Sequence, residues 1–256
     1  MKTDIFDIEG KNILITGSSR GIGLMLAHSM GKLGAGIILN GTNEKILKKA
    51  ADKLKSDNIN TLISRFDITD EQAVEDSVNK IIDERGRIDV LINNAGIQIR
   101  HPLEDFPASE WDRIINVNLK AAFLVSRIVG AKSMIPNKKG KIINICSIQS
   151  ELGRPSITPY AASKGGIKML TKGMATEWGK YNIQTNGLGP GYFVTDMTRT
   201  LVKDEKFNSW LCSRVPANRW GDTEELVGAA VFLSSRASDY VNGQILYVDG
   251  GMLACV

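Results

Sequence analysis

The chain has 256 residues, 43% of them hydrophobic and 23% charged, a balance that neither a disordered nor a fibrous chain has. Its 32 lysines and arginines against 28 aspartates and glutamates leave a net charge of only +4 with no basic run to concentrate it, so a nucleic-acid partner is not indicated. Cys146, Cys212 and Cys255 are too few for a disulfide framework and are expected as reduced packing residues.

Residues 1–9 lack an apolar core of signal-peptide length, and no uninterrupted apolar stretch reaches the ~18–20 residues of a membrane span, so a soluble cytoplasmic protein is expected. Short runs rich in isoleucine, leucine and valine follow at 12–16, 36–40, 61–66, 88–93, 141–147, 183–188 and 244–248. Between them lie segments of helical spacing, such as 45–54, 71–84 and 224–234. This alternation predicts βαβ units: an α/β fold, one doubly wound parallel sheet with helices on both faces, in a single domain over residues 1–256. The stretch 190–222, with Pro190, Gly191, Pro216, Trp210 and Trp220, breaks the alternation and reads either as an active-site lid or as a packed insertion.

After the first run stands Thr16-Gly17-Ser18-Ser19-Arg20-Gly21-Ile22-Gly23, followed by a helical segment. Glycines between a strand and a helix let the backbone approach a pyrophosphate at the helix N-terminus. The second run ends Leu39-Asn40-Gly41-Thr42, with no acid to hold a ribose 2′-OH, while Arg20 can pair with a 2′-phosphate. NADP(H) is therefore expected over NAD(H). Asp67 can accept from an adenine amine, and Asp70 is expected to cap the next helix.

Further along, Tyr160 and Lys164 are four residues apart and share a face if helical. A carbonyl that accepts hydride needs a proton. A phenol with a free pKa of about 10 becomes a useful donor when a nearby cation lowers that value. Ser147, at the end of the fifth run, can orient a substrate oxygen. Asn118, an amide inside an apolar helix, needs partners and reads as a structural bridge, a proton-relay anchor, or both. No metal-ligand cluster is legible.

Together, Gly17/Gly21/Gly23, Asn93-Asn94-Ala95-Gly96, Asn118, Ser147, Tyr160-x-x-x-Lys164 and Pro190-Gly191 resemble the short-chain dehydrogenase/reductase family along essentially the whole chain. The resemblance implies a Rossmann-type seven-stranded sheet, a nicotinamide cofactor and a homotetramer. It assigns Asn118 to a water-linked relay, Ser147 to the carbonyl, Tyr160 to acid/base work and Lys164 to the ribose and to tuning Tyr160. Cofactor contacts are implied for Gly17, Ser19, Arg20, Gly21, Ile22, Gly23, Asn40, Thr42, Asp67, Ile68, Asn94, Ala95, Gly96, Tyr160, Lys164, Pro190, Gly191 and Thr195.

Three stretches, 98–103, 147–155 and 189–193, are similar to the family members that act on gluconate at carbon 5, which implies reversible D-gluconate/5-keto-D-gluconate interconversion. A sugar acid needs a cation for its carboxylate and polar groups for its hydroxyls. Arg100 and Arg154 can supply the first, and Gln149, Glu151 and Tyr192 the second, beside Ser147 and Tyr160. Alternatively, Arg154 pairs with Glu151 and only shapes its loop. His101 is expected as a structural residue. The competing activities are reduction of a 3-oxoacyl carrier protein, oxidation of a keto-deoxy-gluconate, and, outside enzymes, a nucleotide-binding regulatory role.

Overall fold

A computed structural model describes residues 5–195 and 198–255. Met1 to Asp4, Asp196, Met197 and Val256 lie outside the described residues, and with them part of the 1–9 stretch and two positions of 190–222. Seven strands form one sheet: β1 (Asn12–Ile15), β2 (Gly36–Gly41), β3 (Thr61–Arg65), β4 (Val90–Asn93), β5 (Gly140–Ile145), β6 (Ile183–Pro190) and β7 (Ile245–Val248). Their order is β3-β2-β1-β4-β5-β6-β7 and every pairing is parallel. The order reverses between β1 and β4, which opens a crevice at the carboxyl ends of those strands.

The alternation of side chains along each strand divides the core in two. Ile13, Ile15, Ile37, Leu39, Val90 and Ile92 face α1 (Gly21–Lys32), α2 (Glu44–Ser56) and α9 (Val227–Ser234). Leu14, Ile38, Leu91 and Ile142 face α3 (Glu71–Arg85) and α5 (Ala121–Val129). Each of these fully buried aliphatic side chains contributes roughly 1.5–3 kcal/mol. The central strands are buried and largely apolar, as expected of strands covered on both sides, and polar residues that they carry, such as Asn93 and Asn144, are hydrogen-bonded to each other. The edge strands are not: Ile63 on β3 and Leu246 on β7 stay 39% and 37% exposed, because an edge position has cover on fewer sides. Asp70 caps α3, its carboxylate accepting from the Ala73 N–H, as expected.

Between α3 and β5, α4 (Ala108–Ile115) runs through a wide π turn at Asn116–Lys120 into α5 and a second π turn at Gly130–Met134. This 27-residue helical run, Ala108–Met134, is long and apolar enough to cross a membrane by length and composition alone; over half of its most apolar window is buried inside the fold. Beyond it lies α6 (Thr158–Trp178). The excursion after β6 holds two helices, α7 (Arg199–Val202) and α8 (Glu205–Arg214). It closes on itself where Phe193 bridges Gly221, with the Gly221 N–H donating to the Tyr192 carbonyl at 2.9 Å.

Candidate active site

A cleft of about 990 Å3 runs along the carboxyl ends of the strands. At one end the glycine loop turns from β1 into α1. Gly17 has φ +62, and a Cβ there would stand 2.9 Å from the Ala95 Cα, so the loop lies flat against the segment after β4. The Thr16 hydroxyl accepts from the Asn94 and Ala95 N–H groups at 3.0 and 3.1 Å and locks that contact. Gly21 has φ +58 and nothing within 4 Å of its missing side chain, which leaves α1's first N–H groups open to the cleft. That open cradle at a helix N-terminus fits a pyrophosphate.

The rest of the proposed cofactor set lies along the same cleft, with two exceptions of role. Asn40 lines it, but its side chain is engaged in structure: Oδ1 accepts from the Gly17 N–H, and Nδ2 donates to the Ser64 and Phe66 carbonyls. Gly23 packs behind the loop, where a Cβ would meet the Asn94 amide at 2.5 Å. Arg20 and Thr42 face the cleft with Ser19, and the Arg20 guanidinium makes no hydrogen bond or ion pair to the described residues. Asp67 and Ile68 line the far wall, one Asp67 oxygen already accepting from Thr69. Pro190, Gly191 and Thr195 form the opposite rim.

Catalytic candidates converge from three elements. Asn118 sits in the π turn, where its amide brackets Ile97, accepting from its N–H at 2.8 Å and donating to its carbonyl at 3.0 Å. A further bond to the Ser163 hydroxyl ties it to α6, so Asn118 is a bridge between segments. Ser147 lies two residues past β5 and caps the short turn Ile148–Ser150; its hydroxyl donates to Gln149 Oε1 at 2.8 Å and accepts from the Gln149 N–H at 3.2 Å. Tyr160 and Lys164 lie on one face of α6, with the ammonium 5.7 Å from the phenol ring centre.

One expectation needs correction. Burial pushes the Tyr160 phenol up, with only the nearby Ser147 hydroxyl working the other way. Lys164 does not lower it here, because its ammonium turns aside to donate to the Ile145 carbonyl at 2.6 Å. Burial also lowers Lys164 itself to about 8. Beside them, burial raises the Cys146 thiol to about 11, which leaves it an inert packing group.

At the substrate end the Arg154–Glu151 pairing does not form. Glu151 binds the Lys168 ammonium through both oxygens, at 2.5 and 2.6 Å, and accepts from the Tyr247 hydroxyl. Arg154 instead donates to the Tyr192 hydroxyl at 3.3 Å and stacks 4.4 Å over the Phe207 ring of α8. Arg100 donates to Gln98 Oε1 at 3.4 Å, and its guanidinium is held below its usual value by burial and then by Arg154. Both arginines line the cleft, where Asp67 is the only acidic residue among the described lining residues. His101 is structural, as expected: it binds Glu110 at 2.7 Å and packs edge-on against Phe106.

Residues 11–206 match the family model of the short chain dehydrogenases. The chain belongs to the short-chain dehydrogenase family. Among its relatives, the 5-keto-D-gluconate 5-reductase of Escherichia coli (strain K12) is 55% identical over 253 residues, covering 99% of each chain. The gluconate 5-dehydrogenase of Gluconobacter oxydans (strain 621H) is 55% identical over 249 residues, 97% of each. The crystal structure of a gluconate 5-dehydrogenase from Burkholderia cenocepacia J2315 in complex with NADP and tartrate superposes with a TM-score of 0.96, at 48% identity over 99% of both chains.

Several residues of this short-chain dehydrogenase escaped the sequence reading. Phe207 carries Arg154 from 53 positions away, and Lys168 with Tyr247 withdraws Glu151 from the cleft. No local pattern links such distant positions. Arg65 donates to the Thr42 carbonyl at 3.0 Å, so a neighbouring strand brings a guanidinium beside the end of β2. The alternation of the third run placed Arg65 at a strand end, which was a usable signal.

Proposed function

We propose that this short-chain dehydrogenase interconverts D-gluconate and 5-keto-D-gluconate with NADP(H), in the manner named for its relatives. The observation that carries the reading is the charge of the cleft: Arg100 and Arg154 stand there without a carboxylate partner, beside Ser147 and Tyr160. Unpaired guanidiniums in a half-buried site favour an anionic ligand, and their planar donors match a carboxylate. NADP(H) is favoured over NAD(H) by the free Arg20 and by the absence of an acid at the end of β2.

When bound, the nicotinamide exchanges a hydride with the carbon at position 5. Ser147 holds the carbonyl oxygen through its hydroxyl proton. Tyr160 gives its phenolic proton to that oxygen during reduction, and takes it back from the alcohol in the reverse direction. Lys164, released from the Ile145 carbonyl, binds the ribose and favours the phenolate. Asn118 holds the relay that restores the Tyr160 proton. Residues 190–222 act as a lid, with Arg154 as its contact to the floor through Tyr192 and Phe207.

The reading includes a homotetramer in the cytoplasm. Trp111, Phe123 and Met169 on the α4–α6 surface, and Leu246 on the β7 edge, are exposed apolar side chains that a partner subunit would cover. Light scattering of the purified protein checks the assembly.

The deciding experiment is a panel of gluconate, 5-keto-D-gluconate, a keto-deoxy-gluconate and a neutral polyol, each assayed with both cofactors. Turnover of the first two, faster with NADP(H), is expected. Failure to reduce 5-keto-D-gluconate overturns the reading. Tyr160→Phe should lower kcat by at least ~1000-fold while leaving the NADPH dissociation constant within about twofold, since the lost hydroxyl acts on the substrate oxygen.

A further inference from the structure

Ser147 has one proton to give and two lone pairs to receive. In this structure that proton is already committed to Gln149 Oε1 at 2.8 Å, and the Gln149 N–H occupies a lone pair at 3.2 Å. The hydroxyl is therefore engaged both as donor and as acceptor before any substrate arrives. The turn that carries both residues is rigid. The Ser150 hydroxyl donates to the Lys164 carbonyl at 3.0 Å, and Glu151 is clamped by Lys168 and Tyr247. Ser147 therefore cannot reach a carbonyl by backbone movement; its proton must leave Gln149.

That exchange leaves Gln149 with an unsatisfied carboxamide oxygen inside the cleft, two residues from the Ser147 hydroxyl that holds the reacting oxygen. Leaving such a group unpaired is unfavourable, so binding favours ligands that supply a replacement partner. The replacement must lie beside the atom that takes the Ser147 proton. The group one carbon from a ketone that fills this place is a hydroxyl, which can donate to Oε1 as the serine did.

We propose that Gln149 is a specificity-determining residue that exchanges the Ser147 proton for the hydroxyl vicinal to the reacting carbon, so that the enzyme selects α-hydroxy ketones and vicinal diols. The inference deepens the sugar-acid reading, in which both neighbours of carbon 5 carry hydroxyls. It also extends to uncharged ligands, which the carboxylate clamp does not address.

The test compares kcat/KM for two pairs of ketones in the wild type, Gln149→Leu and Gln149→Glu. One pair is 5-keto-D-gluconate and its 4,6-dideoxy analogue; the other is acetoin and butanone. The wild type should favour the hydroxylated member of each pair by at least about 30-fold, since a site built to bond a hydroxyl rejects the analogue without one. Gln149→Leu should reduce that preference at least about tenfold by slowing the hydroxylated member alone, and Gln149→Glu, which keeps an acceptor oxygen, should restore most of it. An unchanged NADPH dissociation constant confirms that the variants fold. Equal losses on both members of a pair reduce Gln149 to a support for Ser147 and overturn the proposal, as does a wild type without preference in either pair, including one that turns over neither acetoin nor butanone. If 5-keto-D-gluconate is not a substrate but acetoin is preferred over butanone through Gln149, the gluconate reading fails and this one stands.

Discussion

Lys164 shows how much one buried charge weighs. It is 5% exposed, its ammonium donates to the Ile145 carbonyl, and burial lowers it to about 8. In the unfolded chain the same amine titrates near 10.4. Between those values the unfolded state binds more protons than the folded one, so stability must rise with pH across about 8 to 10. Below 8 both states are protonated and the full cost of the buried ammonium is present. Lys164→Met removes the group, and the lysines at Lys11 and Lys141, also lowered by burial, are common to both proteins and cancel. Denaturant melts at pH 7.5 and 9.5 should therefore show the wild type gaining about 2 kcal/mol on the variant as pH rises. A gap that does not change with pH means that Lys164 stays charged in the folded protein throughout. The same side chain explains why the spacing of Tyr160 and Lys164 predicts their shared helix face, while in this structure burial raises the phenol. Sequence spacing fixes the face, but which acceptor captures a flexible ammonium depends on Ile145, on a strand 19 positions away.

At the scale of elements, the loops repeat this division. The seven strands and the glycine loop were legible because buried parallel strands must be apolar and a tight strand-to-helix turn must carry glycine. The π turn at Asn116–Lys120 was not, since one extra residue per turn leaves no mark on composition. Nor was the seating of Arg154 on α8. Two variants test these elements. Gly21→Ala places a methyl into the open space of the glycine loop at φ +58, so it should raise the NADPH dissociation constant at least about tenfold while costing only about 1 kcal/mol in stability. A stability loss without a binding loss would remove the loop from the cofactor site. Arg154→Ala should raise KM for gluconate more than for a neutral polyol, and Phe207→Leu, which removes only the ring beneath the guanidinium, should reproduce part of that effect. Equal effects of Arg154→Ala on both substrates would leave the arginine as a brace between the floor and 190–222.

For the whole molecule, the cofactor is the largest single source of stability that the fold leaves open. The cleft runs the length of the sheet's carboxyl edge, touching β1, β2, β4, β5 and β6 through their loops, so a dinucleotide lying in it would join both halves of the doubly wound sheet. A ligand that binds only the folded state at a hundred times its dissociation constant adds about 2.7 kcal/mol. For a domain of this size, thermal melts should shift upward by about 5–10 °C with saturating NADPH. At equal concentration NADH should shift them less, because Arg20 can grip a 2′-phosphate that NADH lacks, and β2 ends on Asn40-Gly41-Thr42 without a carboxylate for its 2′-OH. Arg20→Ala should bring the two shifts together mainly by lowering the NADPH value, whereas loss of a general loop contact would lower both. If NADH shifts the melt as far as NADPH in the wild type, the phosphate is held neither by Arg20 nor by Arg65 beside Thr42, and the second strand must select the cofactor in some other way.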